Sequence, residues 1–401
     1  MGAPSCLFVI SGERGELALA TSFLRGQPFA AAARLLVPEA LLAAAGPSPP
    51  APTAPYEDVD DVLRTADELR PDLVFLCCGY LLVHEGLLAH DELERLVEGL
   101  LGRGCRVVTS DPFLGLTRTT TFADTDLQWA LPWKLGWMRE LHGWLARKLG
   151  GRRRPLEIAC IEDLPHLYPT LVPDLGPGDE VERLSFFNPD TVLTAPLGAA
   201  VEAADESESW IFVLSPFDYE CQKKLVGRGR FARSVAFMLA AAQEAGRRPV
   251  LVAPPDLVGI MEALPGECDL IASCPYTELE ERLLAAEYAF YWSTFSFSML
   301  ARVANEMPVF SFDRGRLART VPKLFSAGHA AHFGGWTPQR VDSKRLPLPK
   351  ALEFLAEKQE LALRVVRERW QASPAPAEVV ERLLTSRPGS DAPAAGAGAS
   401  E

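Results

Sequence analysis

The chain has no run of about 18 apolar residues, so no segment reads as a membrane-spanning helix. Its opening residues, MGAPSCLFVISGERGE, carry no basic stretch ahead of the apolar run. A signal peptide is therefore not expected, and a cytoplasmic location is the default. None of the eight cysteines forms a Cys-x-x-Cys pair, which argues against a zinc or thiol-redox site. Positive charge is in deficit, with 40 Lys and Arg against 53 Asp and Glu and a net charge of -13. Nonspecific binding to nucleic acid or to an anionic membrane is disfavoured by that balance. The Gly-x-Gly-x-x-Gly dinucleotide fingerprint is absent as well. The turn after the first apolar run holds only Gly12 and Gly15. No metal and no tightly bound cofactor is expected.

What is present is a chain of 401 residues, 48% of them hydrophobic. That is enough for two α/β domains. Abundant Ala, Pro and Arg point to a high-GC bacterial genome. CLFVI (6–10), LVFLCC (73–78) and RVVT (106–109) read as buried parallel strands. WIFVL (210–214) opens a second unit as CLFVI opens the first. The proline-rich stretch 45–55 reads as a mobile loop, and 186–193 as the last strand of the first unit. The predicted domains are 1–198 and 210–348, joined by an acidic linker at 199–209. Helices over 349–385 are expected to pack back on the first domain, followed by a disordered tail at 386–401.

The segment from Tyr288 to Gly315 carries the most chemistry. It reads as strand, hydroxyl-rich loop, helix and strand. Ser298 is the expected N-cap of a helix from Met299 to about Glu306. Ser293, Thr294, Ser296 and Ser298 thus gather with a helix N-terminus at the carboxyl edge of a sheet, a setting suited to a phosphate. Asp313 lies just past the next strand. Lys224 and Arg228, in a basic stretch between strand and helix, are candidate counter-charges. Thr277 with Glu280 reads as a capping box. In the first domain, Asp111, Glu13 and Glu16 are the acids near the presumed cleft. Four tryptophans within 129–144 either line a groove or, as is commoner for this spacing, pack into a core.

Two Rossmann-like units with the ligand loop in the second resemble the GT-B glycosyltransferases. The resemblance is carried by TELEERLLAAEYAFYWSTFSFSMLARVANEMPVFSFDRG (277–315) and, more weakly, by ISGERGELALATSFLRG near the start. It implies a cleft between two parallel-sheet domains. It also implies a nucleotide-sugar donor held by Ser293, Thr294, Ser296, Ser298, Lys224, Arg228 and Asp313, and a small-molecule or peptide acceptor on the first domain. Several positions depart from the family pattern. Ser293 and Thr294 stand where paired glycines are usual. No acid occupies 299–302 to hold a ribose. No histidine follows the first strand, so Asp111 or Glu13 is the expected base.

The first reading is thus a sugar transferase in bacterial secondary metabolism. The second is a non-catalytic protein of the same fold that binds a precursor peptide in a ribosomal-peptide pathway. The third is a nucleotide-sugar epimerase drawing on His329 and His332, which read as loop or surface residues.

Overall fold

The computed structural model describes residues 3–46, 48–84, 86–117, 156–173, 181–192, 208–263, 267–292, 296–312, 322–343 and 346–386. Strands β1 (Cys6–Ile10), β2 (Ala33–Pro38), β3 (Thr53–Tyr56), β4 (Leu73–Cys77), β5 (Arg106–Ser110), β6 (His166–Tyr168) and β7 (Arg183–Ser185) form one sheet. Its order is β3-β2-β1-β4-β5-β6-β7, with every pairing parallel. The second sheet contains β8 (Ser209–Val213), β9 (Arg248–Val252), β10 (Asp269–Ile271), β11 (Tyr288–Tyr291), β12 (Val309–Ser311) and β13 (Gln339–Arg340). Its order, β10-β9-β8-β11-β12-β13, is also fully parallel. Each sheet reverses its winding beside its first strand, and ligands bind at the carboxyl ends of such switch points.

The apolar runs explain the centres of both sheets. Residues 6–10, 73–77 and 209–213 are buried throughout, as strands covered by helices on both faces must be. Phe212 and Phe290 stack at 4.9 Å, and Phe290 and Phe310 at 5.3 Å, across β8, β11 and β12. The final helix, Pro376–Thr385, buries Val379, Val380 and Leu383 in the core of the first sheet. The preceding helix, Pro349–Gln371, sets Leu363, Val366 and Trp370 against the second. The C-terminal segment therefore crosses back to the first domain.

Several local expectations are corrected. The proline-rich stretch contains the edge strand β3, where Pro55 is tolerated. Residues 186–193 hold no strand among their described positions; β7 ends at Ser185 and a 3-10 turn covers Pro189–Thr191. The helix Tyr276–Ala285 begins at Pro275 without a side-chain cap, so Thr277 lies inside it. The basic stretch is not a loop. Lys223 closes the helix Pro216–Val226, and Arg228 starts the next, Arg228–Glu244. The tryptophan-rich segment, residues 199–207 of the linker and the tail beyond Ser386 lie outside the described residues, while Ser209, placed in the linker by the sequence, opens β8.

Candidate functional site

The carboxyl edges of the two sheets meet around a cavity of about 270 Å³. The first sheet contributes Glu16 from the helix Arg14–Leu24, and Ser110 and Asp111 from the end of β5. The second contributes Ser296, Phe297 and Leu300 from the start of the helix Phe297–Ala304. Phe297 packs on the cores of both domains. Arg25 pairs with Glu280, and Arg14 donates to Ser273 Oγ at 2.9 Å, so the halves are tied directly.

The helix Phe297–Ala304 starts two residues earlier than the sequence implied. Its N-cap is Ser296, which makes no side-chain cap bond. Ser296 Oγ and Ser298 Oγ lie 2.7 Å apart instead. The last turn of the helix carries Arg302, a completely buried guanidinium. Arg302 donates to the carbonyls of Ala286 (2.8 Å), Glu287 (3.0 Å) and Pro308 (3.1 Å), and also to that of Leu283. Those bonds cap the C-terminus of the helix Tyr276–Ala285 and fix the helix against β11 and β12. Burial still lowers the Arg302 pKa to about 10.

On the opposite wall, Ser110 Oγ accepts from the Cys78 N–H at 2.9 Å and donates to Glu16 Oε2 at 2.8 Å. Cys78 turns β4 into the helix Gly79–His84 with φ +60, a costly conformation for a side-chain-bearing residue. Burial raises the Glu16 pKa to about 7. The Ser110 bond opposes that rise, while Glu13 and Asp111 add to it. Across the cleft, burial raises the Asp218 pKa to about 6; Ser215 opposes and Glu13 assists.

The proposed site residues separate on inspection. Asp111 is buried, and its oxygens accept from Phe113 N–H (2.7 Å), Gly115 N–H and Tyr168 Oη (3.0 Å). Its carboxylate anchors a loop, which leaves it little freedom to act as a base. Glu13 is exposed at the N-cap of the first helix. Arg228 is exposed and paired with Asp256, which also accepts from Tyr219 Oη at 2.8 Å. Ser293, Thr294 and Asp313 lie outside the described residues, as does the side chain of Lys224. His329 and His332 sit on the helix Pro322–Phe333 rather than in a loop. His332 lines the cavity, 3.1 Å from Thr170 Oγ1 through Nδ1, and burial lowers its pKa to about 4. Its imidazole is therefore neutral at pH 7. Of the three acids expected near the cleft, Glu16 rather than Asp111 or Glu13 faces the cavity with an orienting hydroxyl, supplied by Ser110 94 positions away.

No protein-family profile and no curated protein sequence matches the chain. Solved structures do. The spinosyn forosaminyltransferase SpnP superimposes with a TM-score of 0.51 at 14% identity, over 95% of this chain and 98% of that one. The chain has the GT-B fold. The glycosyltransferase VinC, solved with DTDP, gives a GT-B match of 0.51 at 13% identity over the same shares. Phytolacca americana UGT2, solved with UDP-2-fluoro-glucose and pterostilbene, gives 0.51 at 11% identity over 95% and 99%. At such identities the likeness is one of fold. Chemistry must be argued from the GT-B cleft of this chain itself.

Proposed function

We propose that the chain is a GT-B glycosyltransferase of bacterial secondary metabolism. It moves a sugar from a nucleoside-diphosphate donor to an acceptor hydroxyl. The observation that carries this reading is that Glu16 and the N-terminus of the helix Phe297–Ala304 share one cavity between the two sheets. A carboxyl group with a pKa near 7 is suited to take a proton at neutral pH. A helix N-terminus is suited to receive an anion.

In the reaction, the acceptor oxygen attacks the anomeric carbon while Glu16 takes its proton. The bond from that carbon to the diphosphate breaks, and the leaving diphosphate is stabilised at the first turn of the helix. Ser296 supplies a hydroxyl there. Ser293, Thr294, Lys224 and Asp313 complete the donor side in this proposal, and Arg228 joins them on release from Asp256. Ser110 orients Glu16. Because Ser110 Oγ already accepts from Cys78, its own hydrogen points at the carboxylate.

A calorimetric titration of UDP-glucose and TDP-glucose tests the donor side. Binding is expected to the wild type and to weaken at least about tenfold in Ser296→Asp, which sets a negative charge at the helix N-terminus. Asp caps a helix about as well as Ser, so helix stability is expected to be kept and lost binding will not reflect unfolding. Failure of both nucleotides to bind, with binding of a peptide instead, would replace the transferase by the peptide-binding reading.

A further inference from the structure

One cavity wall holds a strained side chain that the proposed chemistry does not use. Leu114 has φ +55, in the left-handed region that a leucine adopts only at a cost. The strain is held by its neighbours. Asp111 grips the N–H groups of Phe113 and Gly115, on either side of Leu114. Tyr168 Oη donates to Asp111 at 3.0 Å and accepts from Arg183 Nη1 at 2.8 Å, which fixes the carboxylate in turn. The result pushes Leu114 into the cavity and against Ala331 of the helix Pro322–Phe333. Strain that persists only because several bonds over-determine it is a pointer to function. The cavity volume, about 270 Å³, falls just short of the ~300–1,000 Å³ usual for ligand pockets.

We infer that Leu114 is the specificity-determining residue that limits the cavity to a small ring, with Asp111 as the positioning residue that holds it there. The chemistry of the ligand, a hydroxyl-bearing acceptor, rests on the transferase reading. The size limit rests on the loop geometry alone.

The probes are 2-naphthol and 1-pyrenol, whose binding to the full chain is followed by their own fluorescence. In Leu114→Ala the preference for 1-pyrenol over 2-naphthol is expected to rise about tenfold, the scale of hydrophobic-pocket discrimination. Leu114→Gly removes both the side chain and the φ penalty, so it keeps the test open if the alanine variant does not fold. Asp111→Ala is expected to shift the preference in the same sense. Asp111→Asn, which retains an acceptor oxygen, is expected to restore part of it. An unchanged preference in both Leu114 variants would overturn the inference. Glycoside formation from the same probes reads separately. A shifted preference without glycoside keeps the Leu114 inference and removes the transferase reading, and glycoside with an unchanged preference does the reverse.

Discussion

Two ionisable side chains, Arg302 on the helix Phe297–Ala304 and Glu16 across the cavity from it, are treated in opposite ways. Arg302 donates to four backbone carbonyls and is fully enclosed. Glu16, facing the helix across the cavity, has one hydroxyl donor and two nearby acids that disfavour its charge. A charge whose hydrogen bonds are complete serves the architecture. One left under-supported beside a cavity is kept at a cost to stability, and such costs concentrate where chemistry is done.

Removing each charge in turn gives the sharpest contrast. Glu16→Gln is expected to lower glycoside formation by about 10²–10⁴-fold, the usual contribution of a general base, with donor affinity unchanged. Calorimetry for the donor and mass spectrometry for product check both halves. Arg302→Leu leaves four carbonyls without their donor and is expected to cost about 3 kcal/mol or more. The urea midpoint reads that loss, and Arg302→Lys should recover only part of it.

The pH dependence of stability carries the contrast further. The Glu16 pKa is about 7 in the folded chain against an ordinary value of 4.5. The folded state therefore keeps its proton where the unfolded state has released it. Stability from this group is full below pH 4.5, falls as pH rises to 7, and is lowest above that. Glu16→Gln is accordingly expected to be more stable than the wild type at pH 8 by about 1–2 kcal/mol, with the gap closing towards pH 4.5. Asp218 acts in the same direction between pH 3.8 and about 6 and remains in both proteins. Denaturant titrations at pH 5 and pH 8 separate the two. A Glu16→Gln protein less stable at pH 8 would make Glu16 a structural carboxylate like Asp111.

The smallest expected effect is at Ser110. Ser110→Ala removes the hydroxyl that lowers the Glu16 pKa and accepts from the Cys78 N–H. A loss of about 1 kcal/mol in stability is expected, with the acid limb of the pH–rate profile moved to higher pH. A rate loss with an unmoved profile would mean that Ser110 only holds the Cys78 turn.

The fold was legible where side chains repeat a single message. CLFVI, LVFLC, WIFV and YAFY are apolar or aromatic throughout and form strands at the centres of the sheets. The edge strands Thr53–Tyr56, Arg183–Ser185 and Gln339–Arg340 are short and only partly buried, so their residues carry little pattern. The start of the helix at Phe297 differs from the expected one because Ser296 and Ser298 are equivalent N-cap candidates by residue type. Tertiary packing of Phe297 on both cores favours the earlier start. Asp111 was visible as an acid at a sheet edge. Its role depends on Gly115 and on Tyr168, and the tyrosine contact spans 57 positions. Glu16 was visible only as one acid among three, because the hydroxyl that orients it comes from another strand.

The central claim is that Glu16 takes the acceptor proton beside a donor held at the helix N-terminus. Its most direct test is glycoside formation by wild type and Glu16→Gln at saturating nucleotide sugar, with 2-naphthol as acceptor. The predicted result is product from the wild type and almost none from a variant that still binds the donor. Equal product from both proteins would contradict the account.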